Sequence, residues 1–154
     1  MSDCAIFGVV TTHKIAQSLV GKVHFNTFGG NPVVSAMGKA VLEIIEKDNL
    51  QANSLKLGNH ILAGLNQLKA KHKIIGDVRG KGLMLGIELV KDRVTKEPAT
   101  AECAAVLEHA RELGLLIGKG GLRGQTIRFA PPMCLTLADA DFLLEVLDES
   151  FSAL

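Results

Sequence analysis

A chain of 154 residues with 47% apolar side chains can fill one core. Its 17 basic and 16 acidic residues are mixed along the sequence, and the net charge of +1 favours neither nucleic acid nor an anionic membrane as partner. Tyrosine and tryptophan are absent, so base stacking would fall to six phenylalanines, and no apolar run reaches the roughly 18 residues of a membrane span.

The N-terminal residues Met1–Gly8 have neither the basic and apolar regions of a secretory signal nor the Arg-rich character of a transit peptide, so no targeting segment is expected and the chain as written reads as cytoplasmic. Gly8–Thr12 reads as the end of a short strand followed by a helix cap, with the Thr12 hydroxyl capping a segment from His13 to Leu19. A glycine-rich loop runs to Pro32, which suits the first turn of a helix because its missing N–H costs nothing there. From Val33 the apolar residues Val34, Met37, Val41, Ile44 and Ile45 recur at helical spacing to about Asp48. A second helix is expected near Gln51–Lys71, burying Leu57, Ile61, Leu65 and Leu68. Gly58 and Gly64 each weaken it by roughly 1 kcal/mol, so packing must hold it.

At Ile74 the texture changes. Ile74–Gly82 is strand-like and then turn-like, Leu83–Val90 is an apolar run of strand length, and the two read as a hairpin or adjacent strand pair. Thr100 opens a helix with Cys103, Val106, Leu107, Ala110 and Leu113 on one face, stopped at Gly114. Leu115–Gly118 and Thr126–Phe129 are expected as two short strands around the loop from Lys119 to Gln125, with Pro131 and Pro132 ending the second. Thr136 and Asp139 have capping-box spacing at the start of a last helix, whose expected buried face is Phe142, Leu143, Val146, Leu147 and Phe151. The class is α/β with an α+β small domain, helices lying against a small sheet that contains antiparallel strands.

Three places can carry chemistry. The loop His24–Pro32 combines adjacent glycines, Thr27 and a helix N-terminus, which can hold a phosphate; it can equally be a plain turn before a helix. Arg128, between Ile127 and Phe129, either stands on a solvent face or binds a carboxylate, phosphate or carbonyl with its planar fork. In Gly76–Gly82, Asp77 and Arg79 read as a structural pair across a turn, with the glycines there for backbone conformation. The five histidines and the three cysteines Cys4, Cys103 and Cys134 have no metal or disulfide spacing, and the thiols suit a reducing compartment. Gly118–Gly121 fits no nucleotide fingerprint, and no nucleophile elbow is present.

Three segments in one order carry a resemblance: His24–Pro32, with Thr27-Phe28-Gly29-Gly30-Asn31-Pro32 at its centre; Asp77–Leu89; and Thr126-Ile127-Arg128-Phe129-Ala130-Pro131-Pro132-Met133. This resembles the C-terminal third of class III aminotransferases dependent on pyridoxal phosphate, and Gly118–Gly121 with Met133-Cys134 looks most like their mitochondrial alanine–glyoxylate branch. The resemblance implies a fold type I transferase, a mitochondrial location, and a dimer in which Thr27, beside Phe28 and Gly29, binds the cofactor phosphate of the neighbouring subunit. It also implies that Arg128 holds the carboxylate of an amino or keto acid. Residues 1–30 would belong to the large cofactor domain, 31–73 to connecting helices and 74–154 to the small C-terminal domain.

The same resemblance exposes a gap. The family's Schiff-base lysine lies shortly upstream of the Val-Thr-Thr segment, where Met1–Phe7 contains no lysine, and Lys14 and Lys22 fall on its other side. The expectation is therefore a C-terminal segment of an alanine–glyoxylate-type aminotransferase, inactive alone, with no catalytic residue of its own. Its rivals are a non-catalytic dimerisation or regulatory partner of a full-length aminotransferase, and a partial gene product.

Overall fold

The computed structural model describes residues 9–23 and 25–154. They divide into two compact units, one up to Asp48 and one from Asn49 to Leu154. The expectations that fall on Met1–Gly8 and on His24 lie outside the described residues.

The first unit holds two helices, α1 (His13–Gln17) and α2 (Pro32–Lys47). Among the described residues Val9–Thr12 forms no strand, unlike the expected strand end, of which Gly8 lies outside the described residues. Thr12 does stand at the N-cap of α1, but its hydroxyl makes no cap bond, and its carbonyl accepts from Ile15 and Ala16 instead. α2 starts as expected with Pro32 in its first turn, and the side chain of Asn31 accepts from the Val34 N–H at 3.0 Å. That bond satisfies one of the N–H groups that every helix start leaves open. The apolar stripe of α2 is not buried within the unit: Val33, Met37, Val41, Leu42 and Ile44 are each at least half exposed.

The second unit is a four-stranded sheet with helices packed on one face. Its elements are α3 (Leu50–Lys71), β1 (Ile75–Lys81), β2 (Met84–Leu89), α4 (Thr100–Glu112), β3 (Gly118–Gly120), β4 (Thr126–Phe129) and α5 (Leu137–Ser152). The strand order is β1-β2-β4-β3, and every neighbouring pair is antiparallel. β1 and β2 form the expected hairpin through Gly82 and Leu83, with positive φ only at the glycine, the position where a two-residue loop demands it. Side chains alternate across a strand. Leu85, Ile87 and Leu89 of β2, with Ile127 and Phe129 of β4, therefore turn inward against Leu57, Ile61 and Leu65 of α3, Cys103 and Val106 of α4, and Leu143 and Leu147 of α5. Burying each large side chain contributes roughly 1.5–3 kcal/mol. The four positions expected to face inward from α3 are all buried.

Both glycines of α3 have a packing reason. A Cβ on Gly58 would lie 2.2 Å from the carbonyl oxygen of Gly82, and one on Gly64 would lie 2.4 Å from a methyl of Leu144. α4 ends where Gly114 takes φ +92°; Leu115 N–H bonds to Ala110 O and Gly114 N–H to Arg111 O, the paired bonds of a Schellman cap. α5 opens on the expected capping box of Thr136 and Asp139, and those hydrogen bonds hold the Asp139 carboxyl below its ordinary value.

Two expectations need correction. β3 is Gly118–Gly120 and shares only Gly118 with the expected strand Leu115–Gly118. Its ladder partner explains the shift: Gly118 faces Arg128, so Leu115–Ile117 would have to pair with the stretch that reaches Pro131, where a proline has no N–H to give. Phe142 is not part of the buried face of α5 but is 44% exposed, whereas Ala140 and Ser150 are buried there.

Two polar clusters tie the elements together. Arg93 donates to the carbonyls of Lys69, His72, Lys73 and Ile75, so one guanidinium closes the C-terminal end of α3. Arg93→Ala is expected to lower stability by about 1–2 kcal/mol, measured by urea denaturation, because those carbonyls lose a charge-assisted donor. Asp148 of α5 accepts from Lys71 at 2.7 Å and pairs with His72 at 2.6 Å. The Lys71 bond, then the His72 bond, lower its pKa from the ordinary 3.8. A lowered carboxyl stabilises the fold above its unfolded value and loses that contribution as pH falls through the folded one. The stability curve of Asp148→Asn is therefore expected to be flatter than wild type below about pH 4 and parallel to it at neutral pH.

Candidate functional site

A cleft of about 690 Å³ opens in the second unit where the 115–119 segment, the end of β4, the following loop and α5 meet. Its apolar wall includes Leu116, Ile117, Pro131, Pro132 and Phe142, and Lys119 and Arg128 bring two positive charges to it. Asp139 also lines it, but the capping box occupies that carboxylate.

Arg128 stands on the sheet face opposite the core, exposed between buried Ile127 and Phe129. Its ladder neighbours are Gly86 on β2 and Gly118 on β3. A strand glycine weakens a sheet by roughly 0.5–1 kcal/mol relative to alanine, and often marks a place where another group comes close. Neither glycine has positive φ, and a Cβ on either would meet only ordinary contacts at 3.6–3.7 Å. No side chain flanks Arg128 across the sheet, and among the described residues its guanidinium has no ion-pair partner. Arg79 is the contrast. It lies in the same row, opposite Gly86, but Asp77 and Glu88 each take it at 2.8 Å. The Asp77 hydrogen bond is the largest cause raising the Arg79 pKa, and the Arg79 bond likewise lowers Asp77. The expected Asp77–Arg79 pair thus exists, but within strand β1 and not across a turn, and it extends to Glu88 on β2.

Thr27, Phe28 and Gly29 belong to the other unit, in a turn organised by Asn26. The Asn26 side-chain oxygen accepts from the N–H groups of Phe28 at 3.1 Å and Gly29 at 3.0 Å, and the Phe28 carbonyl accepts from the Asn31 side chain at 2.8 Å. The turn is therefore built before any ligand arrives, and two of its amides are committed inside it. All three residues are exposed.

Sequence reasoning missed Asn53, whose side-chain N–H₂ donates to Met133 O at 2.8 Å and Leu135 O at 3.0 Å in the loop that walls the cleft. A signal was present. Asn53, Leu57, Ile61 and Leu65 are spaced by four, so a polar residue heads an otherwise apolar stripe. Lys119 and Cys134 were visible but not placed, and both line the cleft. Cys103 is buried, and desolvation raises its pKa. Among the described residues no group of three or more His, Cys, Asp or Glu is placed to hold a metal ion.

The model of the class-III aminotransferase family matches residues 4–151. The chain belongs to that family. A mitochondrial alanine–glyoxylate aminotransferase 2 homologue of Arabidopsis thaliana is 55% identical over 144 residues, covering 94% of this chain and 30% of the relative. The human mitochondrial alanine–glyoxylate aminotransferase 2 is 47% identical over 140 residues, covering 90% of this chain and 27% of the relative. A Bacillus anthracis aminotransferase superposes with a TM-score of 0.84 at 35% identity, over 92% of this chain and 34% of that one. A phospholyase from Arthrobacter, solved with phosphoethanolamine, gives 0.87 at 34% identity over 94% and 34%. The chain thus has the fold of part of an aminotransferase of this class, and spans about three tenths of the length of the curated relatives it matches.

Proposed function

We propose that this chain is the C-terminal portion of an alanine–glyoxylate-type aminotransferase, and that Arg128 binds the carboxylate of its amino-acid and keto-acid substrates. The observation that carries this reading is the state of Arg128: exposed at a cleft, between glycines on both neighbouring strands, with the one lining carboxylate already engaged by a helix cap. A planar guanidinium so placed matches a substrate carboxylate through two parallel hydrogen bonds.

The same reading gives Thr27, with Phe28 and Gly29 beside it, to the phosphate of pyridoxal phosphate in a neighbouring subunit. The turn fits that role in part. Asn26 holds two of its amides, which leaves the exposed Thr27 hydroxyl as the donor suited to an anion. Pyridoxal phosphate, when bound, supplies the electron sink for moving an amino group between an amino acid and a keto acid. What this chain's residues add is orientation: Arg128 fixes the carboxylate end of the substrate, and the apolar walls beside it exclude water. The same reading takes residues up to about 30 as the end of the large domain and 74–154 as the small domain; of the stretch 31–73 read as connecting, α3 packs into the core of the second unit. Mitochondrial location is part of the same reading, as in the names of the relatives.

These 154 residues contain no lysine ahead of Thr11-Thr12, and the reaction needs one to link the cofactor and move protons. Alone, the chain is read as inactive and as acting with more polypeptide, in a homodimer or beside a full-length aminotransferase. The exposed apolar stripe of α2 favours such association. The test is a segment exchange, placing these residues in the matching part of the Arabidopsis relative and assaying alanine–glyoxylate turnover. Turnover by the exchanged protein, with no single lysine trapped when the isolated chain is mixed with pyridoxal phosphate and borohydride, is the expected result. A lysine trapped specifically in the isolated chain, together with turnover, would defeat the reading of inactivity.

A further inference from the structure

The loop that follows Arg128 is poorly provided with backbone partners. Two of its residues, Pro131 and Pro132, have no N–H to donate, and its one internal backbone bond runs from Leu135 N–H to Pro132 O. What ties it to the rest of the unit is Asn53, in the first turns of α3, whose single amide group uses both hydrogens on the carbonyls of Met133 and Leu135, at 2.8 and 3.0 Å. The bonds join residues 80 and 82 positions apart. Between the two accepting residues lies Cys134, exposed and lining the cleft that Arg128 also lines.

We infer that Asn53 is a positioning residue for the carboxylate site, holding the Met133–Leu135 segment, whose Cys134 and Leu135 line the cleft, in place for a ligand bound at Arg128. This rests on the proposed role of Arg128. Two features separate it from a purely structural reading. Asn53 occupies the next position of the stripe formed by Leu57, Ile61 and Leu65, where a leucine would extend the apolar face, so the helix itself has no need of an amide there. The two carbonyls it holds flank Cys134 in a segment that is neither strand nor helix, and Cys134 and Leu135 both line the cleft.

Cys134 supplies the probe. Iodoacetate and iodoacetamide react alike with a thiolate: sulfur forms a bond to the methylene carbon, iodide leaves, and the thiol proton passes to the buffer. Only the first carries a carboxylate. The ratio of their rates at Cys134, read by peptide mass spectrometry on the full 154-residue chain and divided by the same ratio for the uncharged thiol 2-mercaptoethanol, measures carboxylate recognition independently of how accessible the thiol is. The wild-type chain is expected to prefer iodoacetate by about two- to fivefold, the range of an exposed ion pair.

Arg128→Gln is expected to abolish that preference. Asn53→Leu is expected to abolish it as well, while lowering the thermal midpoint no more than Arg93→Ala does. Arg93→Ala, which loosens the other end of α3, is expected to keep it while lowering the midpoint. A preference retained in Asn53→Leu overturns the inference and leaves the carboxylate reading standing. A preference lost in Arg93→Ala also overturns it, since recognition would then track general loosening. No preference in wild type, or one that survives Arg128→Gln, removes the carboxylate reading and the inference with it. Should Asn53→Leu fail to fold, Asn53→Ser, which keeps one short donor, carries the same expectation and the same overturning result.

Discussion

Gly58→Ala is expected to destabilise the second unit by about 2–3 kcal/mol, the range of an overpacked core, and Gly64→Ala on the same helix to leave stability within about 1 kcal/mol of wild type. Both changes replace a helical glycine by the best helix former, a local gain of roughly 1 kcal/mol. They differ in what the new methyl meets. At Gly58 it would sit 2.2 Å from the oxygen, 2.3 Å from the carbonyl carbon and 2.6 Å from the Cα of Gly82, all backbone of the β1–β2 hairpin loop. That loop has two residues and depends on the positive φ of Gly82, so it cannot give way without disturbing the register of both strands. At Gly64 the neighbours are the methyl groups of Leu144, the far end of a flexible and only partly buried side chain, which can rotate away. Urea denaturation of the two variants, fitted with a common slope, checks the contrast. Equal effects would mean that the hairpin loop yields as readily as a leucine side chain.

The contrast also shows what the sequence makes legible. The apolar positions of α3, the Pro32 start of α2, the Gly114 stop, the capping box at Thr136 and the strand Thr126–Phe129 all rest on short-range chemistry, and each stands where spacing and residue type place it. β3 and Phe142 went astray because partners distant in sequence decide them. β3 is positioned by the ladder to β4 and by the end of that ladder before two prolines, and Phe142 by a cleft that exists only once α5 and the 115–119 segment have met. Gly58 and Gly64 read as weak points because a sequence records the propensity of a glycine and not the backbone that comes close to it. For the site, Arg128 was conspicuous as a charge in an apolar strand. Its glycine neighbours Gly86 and Gly118 lie 42 and 10 positions away and join it only through register. Thr27 rested on its resemblance to a family motif, and the geometry adds that Asn26 shapes its turn.

Arg128→Gln in the segment-exchanged enzyme is expected to lower kcat/KM for alanine and for glyoxylate by about a hundredfold or more. The magnitude follows from two charge-assisted hydrogen bonds to the substrate carboxylate, roughly 1.5–3 kcal/mol each. Glutamine keeps a polar side chain but is shorter, uncharged and offers only one amide; at an exposed position the fold has little reason to respond. Arg128 is exposed and makes no ion pair among the described residues, and its thermal midpoint should stay at the wild-type value. Arg79→Gln is the matched comparison, two strands over in the same row, on the other side of Gly86. Arg79 is already bonded to Asp77 and Glu88, so its loss leaves Glu88 without its cation and Asp77 with only the longer Lys69 pair at 3.9 Å, and should cost stability more than turnover. Arg128→Lys separates charge from shape: an ammonium restores the charge but not the planar pair of donors, and should recover only part of the lost kcat/KM. If Arg128→Gln left kcat/KM for both substrates unchanged while the exchanged enzyme was active, the substrate carboxylate would have to be held by another group. Lys119, the second cation of the cleft, would then be the next to test.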